Sequence, residues 1–314
     1  MSRGVKDKKL FFIVNPVSGG GTAAAFWDAS LPLLDAAGYT YSWEYTRPGE
    51  ICGQIRRAVL EKDAEVVIAV GGDGTLYDTI NALVCDDKLI RSDIILAAYP
   101  TGSACDFSRS IYPGGKCSLR ELIENSSPRL IDIGRCRFDQ GDCRYFINSF
   151  DIGAGADTCE AVNDNSGKVK RFWRNGRIAF KLTALKILMN FNYTVTEIEL
   201  DDEKFSGEYI IMGCGNGAYI GGGMILFPQA SLTDGKLDLL LIPRKTRLQI
   251  LKLFTKVYDG TVLDIDGVVY RQTSRARFAS ARPVAAELDG EIPGCAPLEV
   301  SVLGGLLPLL LPEE

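Results

Sequence analysis

The sequence predicts an α/β protein of two domains: an N-terminal doubly wound, Rossmann-like parallel sheet and a C-terminal, mostly antiparallel β-sandwich. Three observations lead to this prediction. The 314 residues exceed the roughly 150 of one ordinary domain. Apolar strand-like runs alternate with helical segments up to about residue 130, which is typical of a parallel sheet covered by helices. Beyond that point the segments are short, β-rich and seldom separated by a helix.

The first domain begins with an apolar strand at Leu10–Val14, followed by a glycine-rich turn and a helix that ends at Gly38. Pro32 predicts a kink or a second start in that helix, because proline has no backbone N–H to donate. The remaining predicted elements are a helix at Glu50–Lys62 and strands at Tyr39–Tyr45, Glu65–Val70 and Ile94–Ala98.

In the second domain, two predicted helices interrupt a series of short strands. The helices are Val169–Asn190 and Thr246–Tyr258. Strands are predicted within 130–150 and at Tyr193–Leu200, Glu208–Cys214, Leu237–Ile242, Val268–Gln272, Arg275–Ala279 and Leu298–Val302. We therefore place the domains at 1–130 and 131–302, with 303–314 packing back onto the first.

Composition excludes several classes of function. A net charge of −5 argues against nucleic acid as a partner. The absence of histidine excludes Ser-His-Asp and Cys-His catalysis and histidine-ligated zinc. Nine cysteines without a Cys-x-x-Cys pair predict reduced thiols and a cytoplasmic location. Neither the polar Met1–Lys9 nor the short apolar tail Val302–Pro312 is expected to be a signal or transmembrane segment.

The pentad Gly-Gly-Asp-Gly-Thr, Gly71–Thr75, follows a predicted strand directly. Ligands of open α/β sheets bind beyond the carboxyl ends of strands. The glycines allow backbone N–H groups to approach phosphate oxygens, and the Thr75 hydroxyl adds a donor. The negative charge of Asp73 fits such a loop if Mg²⁺ lies between the carboxylate and a polyphosphate. An ordinary tight turn is the alternative interpretation.

A second polar block, Pro100–Arg109, follows the next predicted strand with the residues Pro-Thr-Gly-Ser-Ala-Cys-Asp-Phe-Ser-Arg. Taken alone, this block is equally well explained as a capped turn. Because the carboxyl ends of parallel strands meet at one sheet edge, we expect Asp73 and Asp106 to lie close together.

The ordered set of motifs resembles a family of lipid kinases, typified by the soluble bacterial diacylglycerol kinases and the sphingosine and ceramide kinases. The pentad alone is shared with NAD kinases and phosphofructokinases, whereas the set extends over nearly the whole chain. Its members are Asn15–Gly19, Gly71–Thr75, Pro100–Arg109, Asp132–Gly134, Asn216–Gly217 with Gly221–Gly223, Leu232–Asp238 and Leu288–Glu291.

The resemblance implies an enzyme that uses ATP and Mg²⁺, with nucleotide bound by the first domain and lipid by the second. Asp73, Asp106 and Asp132 resemble the three acids that organise Mg²⁺ at the phosphates. The implied ATP contacts are Asn15, Pro16, Val17, Ser18, Gly19, Thr46, Gly71, Gly72, Asp73, Gly74, Thr75 and Ser103. The implied ligand positions of a structural Mg²⁺ loop are Ser231, Asp234 and Lys236.

The resemblance also implies that Glu291, with Asp289 beside it, is catalytic and accepts the proton of the lipid hydroxyl. Elementary chemistry agrees, since a chain without histidine must use a carboxylate as this base. From the residues alone, Asp289-Gly290 is the signature of a hairpin turn, and a turn can present a catalytic acid.

Two departures from the family pattern stand beside the predicted nucleotide site. Cys105 occupies a position that is usually Asn, and Tyr77-Asp78 replace the usual Asn-Glu. Cysteine cannot supply the paired donor and acceptor of an amide.

A soluble enzyme acting on a membrane lipid has to reach the bilayer surface. Residues 165–196 contain seven basic and no acidic residues, with Lys170, Arg174, Arg177 and Lys181 along one helical stripe. This pattern predicts peripheral membrane contact beside the lipid entrance, although a core helix with a basic flank also explains it. An exposed sheet edge would permit a homodimer.

The sequence therefore predicts an ATP- and Mg²⁺-dependent kinase that phosphorylates a primary hydroxyl of diacylglycerol or a similar lipid. An NAD kinase and a lipid- or nucleotide-binding protein that has lost catalysis remain alternatives. A dinucleotide-dependent oxidoreductase is disfavoured, because no Gly-x-Gly-x-x-Gly follows the first strand.

Overall fold

The computed structural model describes residues 4–112, 117–164 and 176–313, and side chains for all of these except 163–164 and 176–180. The chain divides into two compact units. One consists of Met1–Ile131 with Gly305–Glu314, and the other of Asp132–Gly304.

The first unit is built on parallel strands. Its strands are β1 (Leu10–Val14), β2 (Tyr41–Tyr45), β3 (Val66–Gly71), the short pair β4 (Val84–Cys85) and β5 (Lys88–Leu89), and β6 (Ile95–Pro100). Its helices are α1 (Thr22–Ala37), α2 (Ile51–Leu60), α3 (Asp73–Leu83), α4 (Asp106–Ile111) and α5 (Leu119–Glu124). The strands β6, β3, β1 and β2 lie side by side in that order, all parallel. The predicted parallel-sheet domain is confirmed.

Apolar side chains hold this sheet against its helices. All five residues of β1 are buried, and the Phe12 ring centroid lies 4.8 Å from that of Trp27 on α1. Helix α1 continues through Pro32, so the predicted second start is wrong. A proline inside a helix costs about 3 kcal/mol. Burial of Trp27 and Leu34 on either side of Pro32 offsets that cost.

The second unit is mostly antiparallel. Its strands, some shared with the first unit, are β7 (Ser126–Phe138), β8 (Cys143–Phe146), β9 (Ser149–Gly153), β10 (Val195–Glu199), β11 (Lys204–Gly215), β12 (Tyr219–Ile220), β13 (Met224–Ile225), β14 (Leu237–Pro243), β15 (Val269–Thr273), β16 (Arg275–Ser280), β17 (Ala285–Leu288), β18 (Glu291–Cys295) and β19 (Leu298–Pro312). The order β18-β17-β9-β11-β10-β16 is antiparallel throughout, and β14 pairs with β11 and β15. The predicted antiparallel strands are confirmed.

Three described helices accompany these strands: α6 (Ala154–Asp164), α7 (Gly176–Met189) and α8 (Arg247–Asp259). Helix α8 buries Ile250, Leu253 and Val257 in a core formed with strands β11 and β14. Of the predicted basic stripe, Lys170 and Arg174 lie outside the described residues, and so does the side chain of Arg177.

Several short elements were not predicted, among them helices α4, α5 and α6, and one strand is longer than predicted. Helix α6 begins Ala-Gly-Ala, directly after a glycine, so no helix-forming pattern marks its start. Strand β19 was expected to end near Val302 but extends to Pro312, and Leu309 pairs with Leu96 of β6. Among the described residues, no helix has the length and apolar character needed to cross a membrane.

Candidate active site

The loops that follow the parallel strands of the first unit meet one another. The Asn15 amide, just after β1, donates a 3.1 Å hydrogen bond to the Thr75 hydroxyl in the pentad. The Thr101 hydroxyl, just after β6, donates to the Ser18 hydroxyl at 3.1 Å. The backbone N–H of Thr46, just after β2, donates to the Val14 carbonyl at 2.8 Å. Three predicted ATP-contact segments are thus joined to the Pro100–Arg109 block at one sheet edge.

Close backbone approach explains two of the glycines here. Gly19 has φ 61°, and a Cβ on it would lie 2.3 Å from the Thr101 carbonyl oxygen. A Cβ on Gly102 would lie 2.7 Å from the Cα of Gly72. Larger residues would therefore push these loops apart.

Most of the Gly71–Thr75 pentad belongs to regular secondary structure and not to a loop. Gly71 ends β3, Gly72 is the N-cap, and Asp73 is already the first residue of α3. The N-terminal turn of α3 has backbone N–H groups without helical partners, and such a helix end favours anions. The sequence predicted the same preference from the glycines, and the start of α3 adds a second cause.

Asp73 and Asp106 lie next to each other, as expected from the topology. The Asp73 carboxylate accepts hydrogen bonds from the backbone N–H groups of Asp106 at 3.2 Å and Phe107 at 3.4 Å. Asp73 therefore caps α4. Burial raises the pKa of Asp73, and these backbone donors oppose that rise. Asp106 is buried, with the Arg109 Nε 3.4 Å from its Oδ1.

Cys105 is the N-cap of α4 and has left-handed backbone angles, φ 48° and ψ 51°. Asparagine adopts this conformation more readily than cysteine does. The usual family residue thus suits the backbone better than Cys105. Burial raises the pKa of this thiol to about 12, and the thiol donates a weak 3.8 Å hydrogen bond to the Gly71 carbonyl. Tyr77, the other departure, is buried in α3.

Asp132 belongs to the second unit, unlike the other two predicted Mg²⁺-organising acids. Its carboxylate accepts a 2.7 Å hydrogen bond from the Gly235 N–H, and its own N–H donates to the Leu232 carbonyl at 2.7 Å. Asp132 therefore packs against the predicted structural metal loop. The structure brings together Asp73 with Asp106, and Asp132 with residues 231–236.

The loop at 231–236 is a tight polar turn. The Ser231 hydroxyl accepts from the Thr233 N–H at 3.4 Å, and Asp234 Oδ1 accepts from the Lys236 N–H at 3.0 Å. Sequence analysis missed Asp238 as a candidate ligand. Its carboxyl is buried beside the Tyr270 hydroxyl and the Gln272 amide, and burial raises its pKa.

The donor set near this turn fits a hard divalent cation. The Gln272 side-chain amide donates hydrogen bonds to both carboxylates, from Nε2 to Asp234 Oδ2 at 3.3 Å and to Asp238 Oδ1 at 3.5 Å. The two carboxylates therefore lie close to each other. Carboxylate, hydroxyl and carbonyl oxygens are the ligands that Mg²⁺ prefers. In the described part of the chain, however, no three Asp, Glu or Cys side chains form a ready metal cluster. Waters or backbone carbonyls would have to complete the coordination.

The predicted hairpin at Asp289-Gly290 is present between β17 and β18. Both turn residues have positive φ, 49° and 93°, as two-residue hairpins of this kind require. The Asp289 carboxylate is buried and accepts three backbone hydrogen bonds, from Ile147 at 2.7 Å, Asn148 at 3.0 Å and Ser149 at 2.9 Å. Asp289 therefore ties the turn to the loop before β9.

Glu291, two residues further on, is the exposed first residue of β18. Two further hydrogen bonds fix Gly290 in the turn before Glu291. The Cys159 thiol on α6 donates a 2.9 Å hydrogen bond to the Gly290 carbonyl, and Glu287 accepts from the Gly290 N–H. An exposed carboxylate on a fixed turn is suited to accept a proton from a bound substrate.

Three polar side chains near this hairpin are further functional candidates: Asn148 and Ser149, which were not predicted, and Asn216 of the motif Asn216–Gly217. Asn148 Oδ1, Ser149 Oγ and Asn216 Oδ1 are buried and lack hydrogen-bond partners among the described residues. Buried oxygens of this kind normally bind ordered water or a ligand. The available signal was the polar pair Asn148-Ser149 between apolar strand residues.

Comparison with known proteins covers both units. The diacylglycerol kinase catalytic domain model matches residues 9–136. The model of the YegS C-terminal NAD kinase beta sandwich-like domain matches residues 151–311, just over half of the chain.

Two bacterial relatives match over most of their length. A diacylglycerol kinase of Bacillus subtilis (strain 168) is 27% identical over 310 residues, covering 98% of this chain and 97% of its own. A diacylglycerol kinase of Staphylococcus carnosus (strain TM300) is 26% identical over 292 residues, covering 92% and 90%.

Solved structures share the fold at lower identity. The crystal structure of a diacylglycerol kinase from Bacillus anthracis str. Sterne has a TM-score of 0.69 at 19% identity, covering 98% of this chain and 97% of that one. The resemblance seen in the sequence motifs is confirmed by the family models, and the chain belongs to the diacylglycerol kinase family.

Proposed function

We propose that the protein is an ATP- and Mg²⁺-dependent lipid kinase that transfers the γ-phosphoryl group to a primary hydroxyl of diacylglycerol or a similar lipid. Family membership supports the reaction class. The observation that carries the proposal is the Asp289-Gly290 turn. The Asp289 carboxylate fixes this turn by accepting three backbone hydrogen bonds, and the exposed Glu291 follows directly after it.

In the first unit, ATP phosphates would bind the glycine-rich loops and the N-terminus of α3. Asn15–Gly19, Gly71–Thr75 and Ser103 supply backbone N–H and hydroxyl donors, and Thr46 lies at the same sheet edge. Asp73 and Asp106 are the acids proposed to hold Mg²⁺, which when bound neutralises phosphate charge. The role of Asp132 toward this ion stays a prediction.

In the second unit, Glu291 would accept the proton of the lipid hydroxyl. The hydroxyl oxygen then forms its bond to the γ-phosphorus while the bond to the ADP oxygen breaks. We assign Asp289 a positioning role, because its carboxylate already accepts three N–H bonds. Ser231, Asp234 and Lys236, with Asp238, would form a structural Mg²⁺ loop. The positioning role of Asp289 replaces the expectation that Asp289 itself is catalytic.

We further propose a cytoplasmic enzyme that contacts the membrane only peripherally, in accord with its reduced-thiol composition. Homodimerisation through an exposed sheet edge is a secondary expectation. An NAD kinase is the competing function, because the Gly71–Thr75 pentad is shared with NAD kinases and the domain matched at residues 151–311 is NAD kinase beta sandwich-like.

The acceptor assay separates these functions. ATP labelled at the γ-phosphate is supplied with Mg²⁺ and diacylglycerol, ceramide or sphingosine in mixed micelles, with NAD in a parallel reaction. We expect label in the lipid phase, its loss in Asp73→Ala, and its retention in Asp28→Ala, an exposed aspartate of the same unit. Label on NAD would contradict the proposal, and so would ATP binding without transfer to any acceptor.

A further inference from the structure

Helix α8 presents two leucines to solvent on the side opposite its core. Leu248 is 68% exposed and Leu251 is 46% exposed, although both belong to a well-formed helix. A capping box fixes the start of α8, since the Thr246 N–H donates to Gln249 Oε1 at 2.9 Å while Thr246 Oγ1 accepts from the Gln249 N–H at 3.4 Å. These leucines are therefore not residues of a frayed end.

The exposed leucines share one face with basic residues. Leu248, Leu251, Lys252 and Thr255 are spaced at i, i+3, i+4 and i+7, which places them on one side of the helix. Arg247 flanks this side and is exposed, as are Lys252 and Thr255. We call these five residues the outer face of α8.

Positive charge is concentrated around the outer face in a chain whose net charge is −5. Residues 244–258 include Arg244, Lys245, Arg247, Lys252 and Lys256 and contain no acidic residue. The last residue of α8, Asp259, is acidic, and its carboxylate accepts hydrogen bonds from the N–H and hydroxyl of Thr261. Arg244 is paired with Glu208 at 2.7 Å. Within the described residues, Arg247 and Lys252 form no ion pair, so their charges are available to a partner.

A further cation lies at the far end of the same side of α8. Tyr258 is seven residues beyond Leu251 and therefore lies on the same side. The Lys181 ammonium of α7 lies 3.8 Å from the centroid of the Tyr258 ring. Leu248 and Leu251 therefore lie between two cations, Arg247 at the start of α8 and Lys181 near its end.

We propose that the outer face of α8 docks on an anionic phospholipid bilayer, with Leu248 and Leu251 inserted at the headgroup–acyl boundary and Arg247 and Lys252 at lipid phosphates. This proposal rests on the proposed lipid kinase function and names the surface that would reach the substrate membrane. Apolar residues bordered by lysine and arginine are typical of helices that lie in a membrane interface. A second copy is disfavoured, because a two-fold contact would bring the same cations together.

Sedimentation with vesicles tests the docking surface. Wild-type protein should sediment with phosphatidylcholine–phosphatidylglycerol vesicles, less with pure phosphatidylcholine, and less as salt rises. The double variant Leu248→Glu/Leu251→Glu should bind the anionic vesicles at least ~10-fold more weakly. Leu33→Glu/Leu60→Glu is the matched control, because those leucines are 72% and 56% exposed on α1 and α2 of the first unit. The control should bind like wild type.

A second variant, which changes only charge, shows whether reduced vesicle binding comes from the lost surface or from misfolding. Arg247→Gln/Lys252→Gln keeps helix-forming side chains, so it should retain the wild-type melting temperature yet lose the preference for anionic vesicles. Equal sedimentation of wild type and both α8 variants would overturn the proposal. So would equal losses in the α8 leucine variant and the control, or a dimer that dissociates in the α8 variants.

Turnover measured separately distinguishes this proposal from the proposed function. Phosphorylation of a monomeric short-chain diacylglycerol should be unchanged in both α8 variants, because no bilayer is involved. Normal turnover with unchanged vesicle binding in the variants would refute docking and leave the kinase proposal standing. Altered vesicle binding with no lipid phosphorylation by wild type would refute the kinase proposal instead.

Discussion

Asp289 and Glu291 are two residues apart and have opposite surroundings. Asp289 is buried with three backbone N–H donors, whereas Glu291 is exposed. A buried, fully bonded carboxylate is a poor proton acceptor and a good anchor. The proposed roles of the two acids, anchor for Asp289 and base for Glu291, therefore follow from the environment of each carboxyl.

Cys105 is expected to lower stability through its backbone. A left-handed conformation costs a non-glycine residue roughly 1–2 kcal/mol, and asparagine tolerates it better. We predict that Cys105→Asn raises the free energy of unfolding by about 0.5–1 kcal/mol in urea titrations. Cys105→Ala keeps the strain and should show no gain. A gain in Cys105→Ala equal to that in Cys105→Asn would show that the thiol, not the backbone, is responsible.

Asp151 is predicted to make stability depend on pH. It is 1% exposed, and burial raises its pKa well above the ordinary value. Its contribution is therefore fully present below the pKa of an unfolded aspartate, about 4, and is lost as pH rises through the raised pKa of the folded state. Asp151→Asn does not titrate, so the loss of unfolding free energy between about pH 4 and pH 8 should shrink by at least about 1 kcal/mol.

The matched control for Asp151 is Asp202→Asn, an exposed aspartate of the same unit. Unfolding curves of wild type and both variants across this pH range provide the measurement. If Asp151→Asn kept the full pH dependence of wild type, the buried carboxyl would not be its source.

Among the secondary-structure elements, the β17–β18 hairpin is the one on which the proposed base Glu291 depends for its position. Gly290 has φ 93°, and a Cβ on it would meet no atom within 4 Å. Gly290→Ala should therefore cost about 1 kcal/mol through backbone strain alone. We also expect a fall of roughly 10-fold in kcat, because relaxation of the turn would displace Glu291.

Gly141→Ala is the control for the hairpin. Gly141 also has positive φ, 95°, in a turn of the same unit with open space around it. It should lose similar stability in chemical denaturation and keep wild-type kcat. Equal kcat in both variants would mean that the hairpin geometry does not govern catalysis.

Elements with local signals were predictable and those made by distant contacts were not. Leu10–Val14 was predicted with its observed ends, because an apolar run followed by Asn-Pro marks a buried strand. The anchoring of Asp289 joins residues about 140 positions apart in sequence, and no local pattern encodes it. Likewise, the pairing of Asp132 with Gly235 appears only when the chain is folded.

At the scale of the molecule, two compact units each carry part of the proposed chemistry. The loops expected to bind phosphate belong to the first unit, and the hairpin with Glu291 belongs to the second. The diacylglycerol kinase catalytic domain model covers the phosphate-binding candidates, and the YegS C-terminal domain model covers the hairpin. Neither set alone accounts for phosphoryl transfer.

The most direct test of the account is single-turnover phosphorylation of diacylglycerol by Glu291→Gln, with ATP affinity measured in parallel. Loss of a general base lowers rates by about 10²–10⁴, so we predict a loss of that size with ATP affinity unchanged. Glu197→Gln, an exposed strand glutamate of the same unit, should match wild type in both measurements. Wild-type phosphorylation by Glu291→Gln would contradict the assignment of Glu291 as the general base.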